Sequence, residues 1–163
     1  MRLEGKVALI SGGARGQGAA EARLFVKEGA QVVIGDILDV EGKKLEAEIS
    51  ETGGDCFYVH LDVTSEEDWR KAIDRTVTQC GKLDILVNNA GIFVPAGLEE
   101  TDEDLWDRTM DINAKGVFLG TKFAIPEMRK VGSGSIINIS STAGLRGSLS
   151  TAAYSASKGA VRL

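Results

Sequence analysis

The chain has 163 residues, 43 % of them apolar and 26 % charged, which suits one soluble globular domain and excludes a disordered segment. Its net charge of -5, with acids and bases mixed and no basic run, leaves no electrostatic footprint for nucleic acid and speaks against an acidic, protein-bound substrate. No apolar run is long enough for a bilayer, Met1–Lys6 lacks a signal-peptide pattern, and Cys56 and Cys80 lie in no metal or redox spacing. A cytoplasmic protein with buried thiols, no metal and no membrane contact is the expectation.

In chain order, Val7–Ile10 reads as the first strand and Gln31–Asp36 as the second. Cys56–Leu61, Leu83–Val87 and Ser135–Ser140 read as the third, fourth and fifth. Their near-continuous apolar content fits strands covered on both faces. Between them lie helical stretches. Thr64-Ser65-Glu66-Glu67 has the look of a capping box, with Gly81 as the stop of the helix it opens. Thr101–Asp104 starts another helix with an acidic first turn. Alternating strands and helices predict a single α/β domain over residues 1–163, a Rossmann-like doubly wound parallel sheet with helices on both faces.

Straight after the first strand comes Ser11-Gly12-Gly13-Ala14-Arg15-Gly16-Gln17-Gly18, opening into a helix. Such a turn sets bare backbone N–H groups and the positive helix end against a pyrophosphate. Asp36 closes the second strand, where a carboxylate accepts hydrogen bonds from a ribose and repels a 2′-phosphate, which favours NAD. Arg15 pulls towards NADP, because a guanidinium pairs with phosphate, but residue 37 is Ile and completes no clamp. Further on, Tyr154 and Lys158 stand four apart, on one face of a helix. A phenol is a poor base near neutrality, and a neighbouring ammonium stabilises its anion and makes it a usable acid/base.

The glycine loop, Asn88-Asn89-Ala90-Gly91 after the fourth strand, Ser140-Ser141 after the fifth and Tyr154-x-x-x-Lys158 occur in the order and spacing of the short-chain dehydrogenase/reductase family. The resemblance runs from about Leu3 to Leu163. It implies a proton relay in which Tyr154 is the acid/base and Lys158 supports it and contacts the nicotinamide ribose. Ser141 would hydrogen-bond the reacting oxygen, and Asn113 would hold a relay water. Ser140 is expected to be structural. It implies NAD contacts from Gly12, Arg15, Gly16, Gln17, Gly18 and Asp36, from Asp62 and Val63 beside the adenine, from Asn89, Ala90 and Gly91 beneath it, and from Tyr154 and Lys158.

Family members continue past the helix that carries Tyr154 with two more strands and a substrate-binding segment. Residues 1–163 are therefore expected to lack the last strands, leaving the fifth strand an open, aggregation-prone edge, and to be weakly stable and nearly inactive alone. Assembly as a homotetramer or dimer through the helix at Asp111–Lys130 and the helix begun at Tyr154 is implied for the full-length parent, with Gly116, Gly120 and Ala124 suited to close helix approach. His60 is expected to be a satisfied strand histidine, and Trp69 and Trp106 packing residues. Phe93–Gly97 and Leu145–Gly147 could wall an apolar pocket. The reading that follows is an oxidoreductase moving a hydride between NAD and a secondary alcohol such as a steroid, cyclic alcohol or sugar. An NADPH-dependent 3-ketoacyl reductase and a non-catalytic NAD sensor are the alternatives. Asp36 opposes the first, and the intact set Asn113, Ser141, Tyr154 and Lys158 opposes the second.

Overall fold

The computed structural model describes residues 1–163. Strands β1 (Val7–Ser11), β2 (Gln31–Asp36), β3 (Cys56–His60), β4 (Ile85–Asn88) and β5 (Ser135–Asn138) form one sheet. Every pairing is parallel, in the order β3-β2-β1-β4-β5. The helices are α1 (Gly16–Lys27), α2 (Asp39–Glu51), α3 (Glu66–Cys80), α4 (Glu103–Met110), α5 (Gly116–Val131) and α6 (Ala152–Arg162).

Side chains alternate across each strand, so a sheet covered on both faces needs apolar residues at consecutive positions. Ala8, Ile10, Val32, Ile34, Ile85 and Val87 point to one face, against Ala19 and Ala22 of α1 and Leu45 and Ile49 of α2. Leu9, Val33 and Leu86 point to the other, against Trp69, Ala72 and Ile73 of α3 and Leu119, Ala124 and Met128 of α5. Each fully buried Val, Leu or Ile contributes about 1.5–3 kcal/mol. This is the doubly wound Rossmann-like sheet that the alternation of elements predicts.

Strand order reverses between β1 and β4, and a crevice for ligands opens there, at the carboxyl ends of the strands. At the opposite end Asp84 ties the sheet together. Its carboxylate accepts from the Val7 N–H at 2.9 Å and pairs with Lys82 at 2.9 Å and Lys6 at 3.6 Å. Burial pushes its carboxyl up, but the Lys82 and Val7 hydrogen bonds and the two ammonium charges outweigh burial and hold it below the usual range.

Several expectations are corrected. The cap of α3 is Ser65, which accepts from the Asp68 N–H at 3.2 Å, whereas Thr64 donates to Asp62. Gly81 ends α3 in the left-handed region at φ 79, as a C-terminal glycine should. Strand β4 begins at Ile85 rather than Leu83, and β5 stops at Asn138 rather than Ser140, because Ser140 turns away to bond α6. The helix anticipated from Asp111 to Lys130 opens with a π-helical turn at Asp111–Lys115 before α5. The small residues of α5 face inward rather than towards a partner. A Cβ on Gly120 would lie 2.7 Å from the Trp69 ring and 2.4 Å from Asn88 Oδ1, and one on Gly116 would lie 3.0 Å from Val63. Ala124 is fully buried in the same layer.

Trp69 is fully buried and donates to the Val63 carbonyl at 3.0 Å, while Trp106 is only partly covered, 40 % exposed. His60 stands exposed at the end of β3 with Nδ1 2.9 Å from Asp39. Cys56 is buried, its thiol pushed up to about 12 chiefly by burial, and Cys80 is only half-buried. Strand β5 is the exposed edge, with only Ile136 partly covered. No helix is long and apolar enough to cross a membrane.

Candidate active site

The loop from β1 to α1 is the tightest part of the crevice. Gly12 adopts φ +64, and a Cβ there would lie 2.7 Å from the Ala90 backbone. Gly18 has no room for a side chain either, since a Cβ would lie 2.3 Å from the Gly12 carbonyl oxygen and 2.7 Å from Asn89 Nδ2. Asn89 fastens the loop from the β4 side, donating to the Ser11 and Gly12 carbonyls at 3.0 and 2.9 Å. Ser11, which sequence reasoning passed over, is the hinge of this joint. Its Oγ accepts from the Asn89 and Ala90 N–H groups, both at 3.2 Å, and donates to the Val87 carbonyl.

The N-terminus of α1 faces this crevice with neither a capping side chain nor an acid in its first turn, while α3 and α4 have both. A helix start left positive in this way suits an anion. Asp36 is buried at the end of β2, its oxygens accepting from the Ala14 N–H at 3.0 Å and the Leu38 N–H at 3.1 Å. A carboxylate has about four acceptor sites, so two remain for a sugar diol. A cleft of about 360 Å³ is lined by Gly12, Arg15, Gly16, Gln17, Asp36, Ile37, Leu38, Leu61, Asp62, Val63, Asn89, Ala90, Gly91, Ile92 and Ile112. Ten of the residues expected to hold a dinucleotide are on that list. Gly18 packs beneath the loop, and Tyr154 and Lys158 stand beyond the cleft. Glycine cradle, uncapped helix start and carboxylate-ended strand fit a nicotinamide dinucleotide.

The catalytic candidates come from three elements. Asn113 sits in the π-helical turn, fully buried. Its amide donates to the Ile92 carbonyl at 2.9 Å and to Ser157 Oγ at 3.0 Å, and accepts from the Ile92 N–H at 2.8 Å. Both amide protons are therefore committed within the protein, and the side chain ties the π-helical turn to Ile92 and Ser157. Ser141 caps a single 3₁₀ turn, Thr142–Gly144, with its Oγ accepting from the Ala143 N–H at 3.1 Å. Gly144 lets that turn lie on α6, since a Cβ would be 2.5 Å from the Lys158 carbonyl oxygen. Ser140 donates to the same carbonyl at 2.9 Å, a structural bond.

On α6, the Lys158 ammonium is 5.9 Å from the centre of the Tyr154 ring and donates to the Ile139 carbonyl at 2.7 Å. Burial holds the ammonium below its ordinary range. The Tyr154 ring meets Phe93 edge-on, with centroids 4.8 Å apart. The segment after β4 is stitched to the entry of α6, Ala96 N–H to the Ser150 carbonyl at 3.0 Å and Ala152 N–H to the Ala96 carbonyl at 3.3 Å. Phe93 and Leu145 are mostly exposed and do not line the cleft. Ser157 and Gly144 also escaped the sequence reading, because a serine or glycine beside a helix carries no signal until its neighbour is known.

A nucleotide cradle running into a Tyr–Lys pair on a doubly wound sheet defines a class of dinucleotide-dependent oxidoreductases. The model of the short chain dehydrogenase family matches residues 6–163, and the chain belongs to that family. It is 51 % identical over 161 residues to the 3-alpha-(or 20-beta)-hydroxysteroid dehydrogenase of Mycobacterium tuberculosis, covering 99 % of this chain and 61 % of that protein. It is 49 % identical to the 2,5-dichloro-2,5-cyclohexadiene-1,4-diol dehydrogenase of Sphingobium indicum, covering 99 % of this chain and 65 % of the relative. The crystal structure of gox2181 superposes with a TM-score of 0.95 at 32 % identity, over 98 % of this chain and 63 % of the other. The chain thus spans 61–65 % of the length of these curated relatives.

Proposed function

We propose that the protein carrying this chain is an NAD-dependent dehydrogenase of secondary alcohols. The observation that carries the reading is the position of Gly91. It lines the nucleotide cleft, yet a Cβ on it would lie 3.2 Å from Asn113 Oδ1 and 3.5 Å from Lys158 Nζ. The cleft therefore runs directly into the catalytic cluster.

The bound dinucleotide supplies the hydride acceptor, or the donor in the reverse direction. Gly12, Gly16 and the start of α1 would hold its pyrophosphate, and Asp36 its adenosine ribose. Tyr154 takes the alcohol proton during oxidation and returns it during reduction. Lys158 brings the positive charge that a phenolate needs, and with one of its three N–H groups on Ile139 it keeps two to offer a ribose. Ser141 Oγ accepts from Ala143, so its own proton is available to the substrate oxygen, where it stabilises developing negative charge.

Phe93 beside Tyr154, with Leu145 and Leu149 exposed on the adjoining segment, favours an apolar cyclic or steroid alcohol over a sugar. Both curated relatives above carry names of dehydrogenases acting on ring alcohols. A cytoplasmic homo-oligomer belongs to the same reading, with exposed Phe118 on α5 as the surface residue that supports it.

The test is steady-state oxidation of cyclopentanol and of a 3-hydroxysteroid by the longest natural polypeptide that contains this chain, with NAD and with NADP. Turnover with the higher kcat/KM for NAD is expected. A higher value with NADP would overturn Asp36 as the deciding group and revive the reductase reading. Absence of turnover with either cofactor, alongside tight NADH binding, would leave a nucleotide sensor.

A further inference from the structure

One buried hydroxyl in the catalytic cluster has no part in the chemistry above. Ser157 is fully buried on α6, one residue before Lys158. It accepts from Asn113 Nδ2 at 3.0 Å and donates to the Tyr154 carbonyl at 2.8 Å. Asn113 in turn grips both backbone groups of Ile92. An unbroken chain of hydrogen bonds thus links the end of the nucleotide segment, through the π-helical turn, to the backbone of Tyr154.

We propose that Ser157 is a positioning residue that sets the rotation of α6, so that Tyr154 and Lys158 both face the reacting atoms. The sequence of α6 explains the need. Ala152, Ala153, Ser155, Ala156, Gly159 and Ala160 give the helix shallow ridges and little apolar grip against roll. A roll of about 10° carries a side-chain tip some 6 Å from the helix axis through ~1 Å. A misplacement of about 1 Å can lower a rate by two orders of magnitude. A buried, directional bond to Asn113, itself tied to both backbone groups of Ile92, resists that roll where smooth packing does not.

The inference rests on the proposed roles of Tyr154 and Lys158, and its test has one arm that does not. In the longest natural polypeptide, Ser157→Ala is expected to lower kcat tenfold or more, about 1.4 kcal/mol in the barrier. NADH affinity, read by fluorescence titration, should fall by less than kcat, since the glycine loop and Asp36 still hold the nucleotide, and the acid limb of the pH–rate profile for alcohol oxidation should move to higher pH. Ser157→Thr keeps the hydroxyl but adds a methyl group to a packed site. It should melt below the wild type, yet recover most of kcat and the original pH limb. Activity that simply follows melting temperature across the two variants, or a Ser157→Ala enzyme with wild-type kcat and pH profile, would overturn the proposal. Independently of turnover, a crystal structure of Ser157→Ala should show the Tyr154 and Phe93 ring centroids displaced from their 4.8 Å separation. An unchanged separation would sink the assignment. A wild-type protein without turnover would sink only the reading of Tyr154 and Lys158, leaving this structural arm to decide Ser157.

Discussion

The two ends of the crevice are built differently. At the nucleotide end every residue of β1 is buried, the glycine loop is locked by Ser11 and Asn89, and the tolerances are set by backbone against backbone. At the catalytic end the supporting strand β5 is mostly exposed, and α6 is held by a few single hydrogen bonds from Ser140, Ser157 and Lys158. The first end is made rigid by packing density, which forgives almost no added atom. The second relies more on directional bonds, which do not forgive a change of chemistry, with one close backbone approach at Gly144.

That contrast can be broken from either side. Tyr154→Phe should have the largest effect, lowering kcat by about 10²–10⁴-fold as the acid/base is lost. NADH affinity should barely change, and a fluorescence titration beside the rate assay checks both. Strongly reduced NADH binding would show that the two ends are not separable. Gly18→Ala should do the reverse kind of damage. Its Cβ is forced into the Gly12 carbonyl and Asn89, an overpacking cost of about 1–3 kcal/mol in thermal or denaturant unfolding. NADH binding should weaken with it, and unchanged affinity would mean that the loop yields more easily than its contacts imply.

A third effect, on stability alone, belongs to Asp84, remote from both ends. A carboxyl held below its ordinary range in the folded state stabilises the fold above the unfolded value, and that contribution is lost as pH falls through the folded value. Asp84→Asn should therefore cost about 1–3 kcal/mol at pH 7, and the difference should shrink as pH falls below about 4. Urea unfolding at the two pH values measures it. A difference that persists undiminished in acid would assign the effect to shape rather than charge.

Much of the glycine-loop end of the crevice was legible in the sequence because its geometry is local. Gly12 and Gly18 are separated along the chain by one turn, and Asp36 ends a strand whose boundaries read correctly. The α3 cap was misplaced by one residue because Thr64 and Ser65 are equally good caps, and only the Asp62 turn occupies Thr64. At the other end the sequence singles out the Tyr154–Lys158 pair on one helix face, but not the contacts that support it. Asn113 stood out as a family position, yet nothing local tells that a π-helical turn carries it, or that its amide protons go to Ile92 and Ser157. The stripe Gly116, Gly120, Ala124 shows the same limit from the other side. Its spacing announces close approach, while the partner turned out to be Val63, Trp69 and Asn88 of the same chain.

The sequence by itself determined the alternation of strands and helices, the two-faced burial of the sheet, the glycine loop between β1 and α1 and the placing of Tyr154 and Lys158 on one helix. Each of these rests on spacings of a few residues, within reach of the backbone's own periodicity. The tertiary structure alone decided which surfaces meet: Gly91 against Lys158, Ser157 against Asn113, Gly120 against Trp69. Those contacts join residues dozens of positions apart, and only the docking of finished elements brings them within van der Waals and hydrogen-bonding distance.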